Sequence, residues 1–406
     1  MSKQIILSNT IYQLIGKVFT TIATLIITAL ITRNLGVTTY GEFSIVLSYI
    51  TPFIIICDFG INAIVSREFS KNKDLSRNKF LSILTLRIAL SLILITIGVL
   101  ILPLTPYSYA IKTSILVGLL LVFTQAVYNA CSIIFQVNST YKYATYSQII
   151  SAIFGVGLIY LTIYYNFGLF FIILAYVLSN ALMAFVSLLS VKSYLTGSSK
   201  LIDLVYWESV LRESYPLGVS LILNTFMLAS DRILLSFMAS AGDNGIYSLA
   251  YKIFEVVLVI PLFFMNSAYP FLVKKYEASK AEFKLTLFKI AKTLFILSLI
   301  LSVLTVVFGK LVIAFVWGSQ MSSSYYPLAI LIAGAFTFFL SSPYSWALVV
   351  MGKQNRLPIF YGFGLLFNIV ANLILIPQYG YMACAYTTVV TELLVLMLVY
   401  RESTLR

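Results

Sequence analysis

"EFSIVLSYITPFIIICDFGINAIV", residues 42–65, holds only two charged side chains, Glu42 and Asp58. A hydrocarbon core about 30 Å thick takes roughly 20 apolar residues of helix, so this segment is long and apolar enough to cross a membrane. Its polar residues are not scattered. Ser44, Ser48, Thr51, Asp58 and Asn62 step by 4, 3, 7 and 4, which is one face of a helix. A membrane helix with a polar stripe is therefore expected here.

The rest of the 406-residue chain repeats the pattern; 60% of its residues are hydrophobic and 10% charged. Twelve spans are read, at 10–32, 42–65, 80–102, 112–135, 147–165, 168–191, 214–238, 245–272, 286–308, 325–350, 357–376 and 380–400. The fold class is an all-α polytopic membrane protein. Strands of a membrane β-barrel would be about ten residues long and alternating, so a barrel is excluded. The N-terminus "MSKQIILSNTIYQLIGK" is too polar for a removable signal, and the first span is expected to stay in the membrane.

Histidine is absent, which removes His-based acid–base chemistry and most metal sites. Cys57, Cys131 and Cys384 fall far apart in apolar spans and read as small buried hydrophobes. The net charge of +13 follows topology. With connections counted alternately, the N-terminal side carries 21 of the 27 Lys and Arg, from Lys3 and the 67–87 group to Arg401 and Arg406. The opposite side carries only Arg33, Lys112 and Lys310. The positive-inside rule then places both termini in the cytoplasm. The basic surplus suits anionic lipid headgroups, and no aromatic–basic nucleic-acid surface is indicated.

The polar residues also reveal a repeat. Adding 204 to Ser44, Ser48, Thr51 and Asn62 gives Ser248, Lys252, Glu255 and Asn266, and Gly41 maps to Gly245. The basic run at 67–79 recurs at 274–284. Two six-helix lobes are expected, 1–195 and 214–406, joined by a cytoplasmic linker at 196–213 and arranged around a central cavity. Such repeats are common in transporters. The repeat is uneven, since Asp58 maps to Leu262 and Lys17 to Leu221.

Further stripes run through Gln13, Lys17, Thr20, Thr24 and Thr28, through Gln125, Asn129, Ser132 and Gln136, and through Ser220, Asn224 and Asp231. Small polar residues also mark tight helix contacts in membranes. Stripes that carry ionisable groups or glutamines favour a hydrated cavity instead. Its candidate lining is Lys17, Lys252, Arg33, Asn62, Gln125, Asn129 and Asn224. Candidate coupling or gating groups are Asp58, Asp231, Arg232, Glu255 and Glu392. Asp231 lies about 26 Å along its span at 1.5 Å per residue, and Arg232 is long enough to snorkel to an interface. The pair fits a structural clip, a gate or a cavity lining. Lys252 and Glu255, three apart, can neutralise each other. Lys17 has no local partner, and a cation in a hydrated cavity suits an anionic ligand.

Residues 33–68, "RNLGVTTYGEFSIVLSYITPFIIICDFGINAIVSRE", closely resemble the opening of the Wzx-type polysaccharide-unit flippases, the O-antigen and capsule transporters of the multidrug/oligosaccharidyl-lipid/polysaccharide exporter superfamily. The resemblance rests on Arg33, Leu35, Gly36, Tyr40, Gly41, Asp58, Phe59, Gly60 and Arg67. "YPLGVSLILNTFMLASDRILLSF" and "NGIYSLAYKIFEVVLVIP" resemble the seventh and eighth helices of that family, through Pro216, Asp231, Gly245, Tyr247 and Lys252. "NIVANLILIPQYGYMACAYTTVVTE" resembles the last two, through Asn368, Asn372, Pro377, Gly380 and Glu392.

The resemblance implies a V-shaped pair of six-helix bundles that alternates between inward- and outward-open forms. Its implied substrate is an undecaprenyl-pyrophosphate-linked oligosaccharide, moved from the cytoplasmic to the periplasmic leaflet of a bacterial inner membrane for O-antigen or other surface polysaccharide. It further implies a polysaccharide polymerase and chain-length regulator as partners, and coupling to a proton or sodium gradient that varies within the superfamily. No cofactor is expected, and no ATP-binding P-loop is present. A multidrug exporter of the same superfamily is the nearest alternative. A polysaccharide polymerase or other membrane enzyme is expected to show a large extramembrane loop with catalytic acids. Here the longest periplasmic connections are 103–111, 239–244 and 309–324.

Overall fold

The computed structural model describes residues 3–71, 73–192 and 201–404. Lys200, Arg406 and the first part of the expected linker lie outside the described residues, as do the side chains of Lys3, Lys73, Arg77 and Pro216. The described residues form helices and no strand. The long ones are α1 (Lys3–Asp58), α2 (Ile61–Lys71), α3 (Lys73–Ile101), α4 (Tyr109–Gly118), α5 (Leu120–Val137), α6 (Tyr141–Tyr164) and α7 (Leu169–Ser190). They continue with α8 (Leu204–Met238), α9 (Ala241–Ala278), α10 (Lys280–Trp317), α11 (Tyr325–Ala333), α12 (Ala335–Val350), α13 (Leu357–Tyr379) and α14 (Tyr381–Thr404).

Among the described residues, eleven segments are long and apolar enough to cross a membrane. The first, Ser8–Lys71, contains both the first and second expected spans. Helices are favoured because backbone groups in hydrocarbon must find partners within their own segment. Large apolar side chains lie on outer surfaces, including Ile93, Val303, Phe315 and Phe363, the last two at 80% and 69% exposure. Facing water these would be costly, whereas facing lipid they are at home.

The first segment divides at Gly36, where φ 86° and ψ 179° lie in a region open essentially to glycine. A second break corrects the expected 42–65 helix. α1 ends at Asp58, Phe59 and Gly60 take φ 40° and 71°, and α2 starts at Ile61. Asn62 therefore does not continue the stripe of Ser44, Ser48, Thr51 and Asp58 on one helix. The tenth span is likewise divided by Gly334.

The chain forms two compact units: Met1–Leu35 with Val46–Ile222, and Gly36–Ile45 with Leu223–Arg406. In the first unit α5 packs between α3 and α7, and α6 runs along α7. Its core gathers Phe69, Phe80, Cys131 and Phe135, all at 1% exposure or less. Tyr206, near the start of α8 and before the membrane span, donates from its hydroxyl to Glu68 at 2.8 Å. Burial first, and then that carboxylate, raise the Tyr206 phenol above its ordinary range.

In the second unit α14 packs between α12 and α13, with Met227, Leu348, Val395 and Val399 buried at one contact. The short segment Gly36–Ile45 belongs here by a close backbone approach. A Cβ on Gly41 would stand 1.6 Å from the Ala241 carbonyl oxygen, and one on Gly245 would stand 2.6 Å from that of Val37. Gly41 and Gly245, the glycines matched by the 204-residue offset, thus meet each other. Cys57, Cys131 and Cys384 are free and buried, as small hydrophobes in apolar spans should be.

Candidate functional site

Among the described residues, each unit holds a centre built on a charged side chain with no exposed surface, Arg87 in the first and Asp231 in the second. In the second unit it is built around Asp231 of α8, which is 0% exposed. A carboxylate removed from water needs donors to replace it. Three are supplied from three other helices. Asn372 of α13 donates from Nδ2 to Oδ1 at 2.9 Å, and Tyr247 of α9 donates from its hydroxyl to Oδ2 at 2.9 Å. Thr388 of α14 donates its hydroxyl to the same Oδ2.

A second layer fixes these donors. Asn372 also donates to Oδ1 of Asn368 at 2.9 Å, while Thr387 donates to Asn372 Oδ1 at 2.8 Å. Ser230 donates to Asn368 Oδ1 at 2.7 Å, and Asn368 donates to Thr391 at 3.3 Å. Asn368 and Asn372 are one helical turn apart, so both amides reach the same side of α13. The result is a cage of hydroxyl and amide groups with one carboxylate at its centre. Among the described residues, no group of three or more His, Cys, Asp or Glu is placed to hold a metal ion.

The neighbouring residue, Arg232, points elsewhere. Its guanidinium lies 3.1 Å from Glu255 Oε1 and 4.5 Å from the centre of the Tyr251 ring. The snorkelling reading is thereby replaced by a tertiary contact. Lys252 Nζ sits 3.1 Å from the other oxygen, Oε2, of Glu255. One carboxylate thus bridges two cations, and the i,i+3 pair read from sequence is part of a larger cluster. Glu392 on α14 is 5% exposed and accepts a hydrogen bond from Ser341.

The centre in the first unit is one that the sequence reading missed. Arg87, counted there among the basic groups of the cytoplasmic side, is 0% exposed within α3. Nη1 and Nη2 both lie 3.3 Å from Asp58 Oδ1, and Nη2 donates to Asn62 Oδ1 at 2.9 Å. Arg87 thereby joins the last residue of α1 to the first turn of α2 across the break at Phe59 and Gly60. The available signal was its place in "SILTLRIALSLILI", well inside an apolar run.

The remaining candidates do not join either centre. Lys17 is exposed on α1, and among the described residues its ammonium makes no ion pair. Arg33 is exposed three residues before the Gly36 bend, and Asn224 is half-buried on α8. Gln125 donates to Asn129 Oδ1 at 3.3 Å within α5. On the same helix Tyr128 accepts from Gln148 of α6 at 2.7 Å, a pair not singled out by the spacing of polar residues.

The all-helical, membrane-spanning fold is similar to that of solved membrane transporters. The structure titled "Lipid II flippase MurJ, inward closed conformation" is similar at TM-score 0.79 and 16% identity, over 97% of this chain and 87% of that one. An inward-facing multidrug resistance MATE family transporter is similar at TM-score 0.74 and 13% identity, over 95% and 93%. A MOP-superfamily transporter from Pyrococcus furiosus is similar at TM-score 0.66 and 16% identity, over 99% and 95%. No curated protein matches the sequence. Residues 6–276 match the family described as Polysaccharide biosynthesis protein, and the chain belongs to that family. The expected all-helical membrane fold is the one these structures share, and the matched family is one of polysaccharide biosynthesis.

Proposed function

We propose that this protein is a flippase for an undecaprenyl-pyrophosphate-linked oligosaccharide, moving it from the cytoplasmic to the periplasmic leaflet by alternating access. The observation that carries the reading is the family match over residues 6–276, on a fold that a lipid-linked precursor flippase shares. Flipping needs polar side chains that exchange hydrogen bonds with sugar hydroxyls while the lipid tail stays in hydrocarbon. Exposed Lys17 supplies a cation for a phosphate or uronate, and Asn224, Gln125 and Asn129 supply amides. The setting is a bacterial inner membrane with both termini cytoplasmic. The product is O-antigen or another surface polysaccharide, extended downstream by a polymerase and its chain-length regulator.

We assign coupling to the Asp231 cage. Its carboxylate is a protonatable group held by donors from three other helices, so that four helices meet at one titratable charge. A cation exchanged at that point shifts the balance between conformations by its differential affinity for them. The test is reconstitution of the purified chain in liposomes carrying a lipid-linked oligosaccharide, with the rate of lectin accessibility followed under imposed proton and sodium gradients. A gradient-dependent rate supports the assignment. A rate indifferent to both gradients removes it. Efflux of cationic dyes in place of oligosaccharide transfer would select the multidrug-exporter reading instead.

A further inference from the structure

A groove of about 630 Å³ opens between the end of α9 and the start of α10, within the second unit. Its walls are apolar, formed by Phe264, Phe271, Leu285 and Ile290. One side is polar, with Lys275, Thr286 and Lys289 beside a single carboxylate, Glu282. α9 and α10 are each 38 residues long, or roughly 57 Å at 1.5 Å per residue. That exceeds a hydrocarbon core of about 30 Å, so helix ends extend into the headgroup zone.

Lys275 is poised rather than fully committed. Its ammonium lies 2.7 Å from Glu282 across the turn at Ser279, and 5.6 Å from the centre of the Phe271 ring. Both ends of that ion pair stay accessible, at 34% and 54% exposure. An anionic oxygen entering the groove competes with Glu282 for Lys275 and meets no such competitor in the ion pairs of Lys289, which has none among the described residues.

We propose that this groove binds one anionic phospholipid from the leaflet at this end of the helices. Lys275, Lys289 and the Thr286 hydroxyl receive the phosphate. An acyl chain lies along Phe264, Phe271, Leu285 and Ile290. Charge complementarity selects the occupant: a neutral zwitterionic headgroup carries its own cation against the lysines, and a protein segment has no reason to combine one anion with a long apolar tail. Glu282 sets the affinity by holding Lys275 when the groove is empty. The inference does not depend on which substrate is flipped.

The test is native mass spectrometry of the full chain released from detergent, titrated in turn with phosphatidylglycerol, phosphatidylcholine and undecaprenyl phosphate. One phosphatidylglycerol should be retained in preference to phosphatidylcholine. Replacing both lysines (Lys275→Gln with Lys289→Gln) should weaken retention by roughly fivefold per lysine, the effect of one cation at a membrane surface. Glu282→Gln should strengthen it, which a merely misfolded variant would not do. Equal retention of phosphatidylcholine, or unchanged retention in both variants, would overturn the proposal. Displacement of phosphatidylglycerol by equimolar undecaprenyl phosphate would also overturn it, making the groove a substrate site.

Discussion

Asn372 and Asp231 stand 141 positions apart in sequence, yet the Asn372 amide donates to the Asp231 carboxylate at 2.9 Å with both side chains fully buried. The contact ties α13 to α8, and Tyr247 and Thr388 extend the tie to α9 and α14. A change in the charge of one carboxylate is therefore felt by four helices at once.

Asp231→Asn keeps the size of the side chain and removes its charge. It should leave expression near normal while abolishing any dependence of transport on the coupling gradient. Asp231→Ala, which strands Asn372, Tyr247 and Thr388, should also lower stability, by roughly 1–3 kcal/mol for a buried group left unsatisfied. Transport in liposomes with imposed gradients, beside thermal unfolding in detergent, separates the two effects. A fully gradient-dependent Asp231→Asn protein would move coupling elsewhere.

Arg87 gives a stability prediction in the first unit. Arg87→Ala leaves Asn62 and Asp58 without their donor and should destabilise by roughly 1–3 kcal/mol, less than for a fully buried pair because Asp58 is 34% exposed. Pairing it with Asp58→Leu should recover part of that loss, because no half-buried carboxylate is then left without its guanidinium. The check is the unfolding midpoint of each variant and of the pair. Equal loss in the single and double variants would mean that the ion pair does not stabilise the α1–α2 junction.

Gly41→Leu should reduce folded yield severely, since even its first carbon would overlap the Ala241 carbonyl oxygen. Overpacking of this kind costs about 1–3 kcal/mol when neighbours can shift, and more when the obstacle is backbone. Gly157→Ala is the matched control, because a Cβ there meets nothing within 4 Å. Size-exclusion profiles of the two variants provide the measurement. Similar monodisperse yields would contradict the close approach.

The two lysines should behave differently. Lys17→Ala should lower the rate of oligosaccharide transfer with little change in unfolding temperature, because its ammonium holds no ion pair among the described residues. Lys252→Ala should cost well under 1 kcal/mol, since Arg232 still holds Glu255 and part-exposed pairs contribute about 0–1 kcal/mol. Transport rates and unfolding midpoints for both variants check this. A large stability loss at Lys17 would place it in the packing instead.

The helical membrane fold was legible because length and apolarity alone decide whether a segment can cross hydrocarbon. Asp231 was legible too, as a carboxylate inside such a run. Its cage was less so: Asn368 and Asn372 carried the family resemblance, but only tertiary packing brings them to Asp231. Arg87 escaped because it follows a run of basic residues and was grouped with them, although the same argument that singled out Asp231 applies to it. The break at Asp58–Gly60 was hidden by an apolar sequence that continues across it, so a helical face was extended to Asn62 where the helix had already ended. The contact between Arg232 and Glu255 joins separate helices, and periodicity along one helix cannot show it.

The central claim is tested most directly in the host lacking this gene. Undecaprenyl-linked lipids would be labelled with an impermeant sugar-oxidising reagent to read which leaflet their headgroups face. The expected result is complete single repeat units, protected on the cytoplasmic face and exposed again when the gene is restored. Units exposed at the periplasmic face without the gene, or lipids unchanged from the parent, would contradict it.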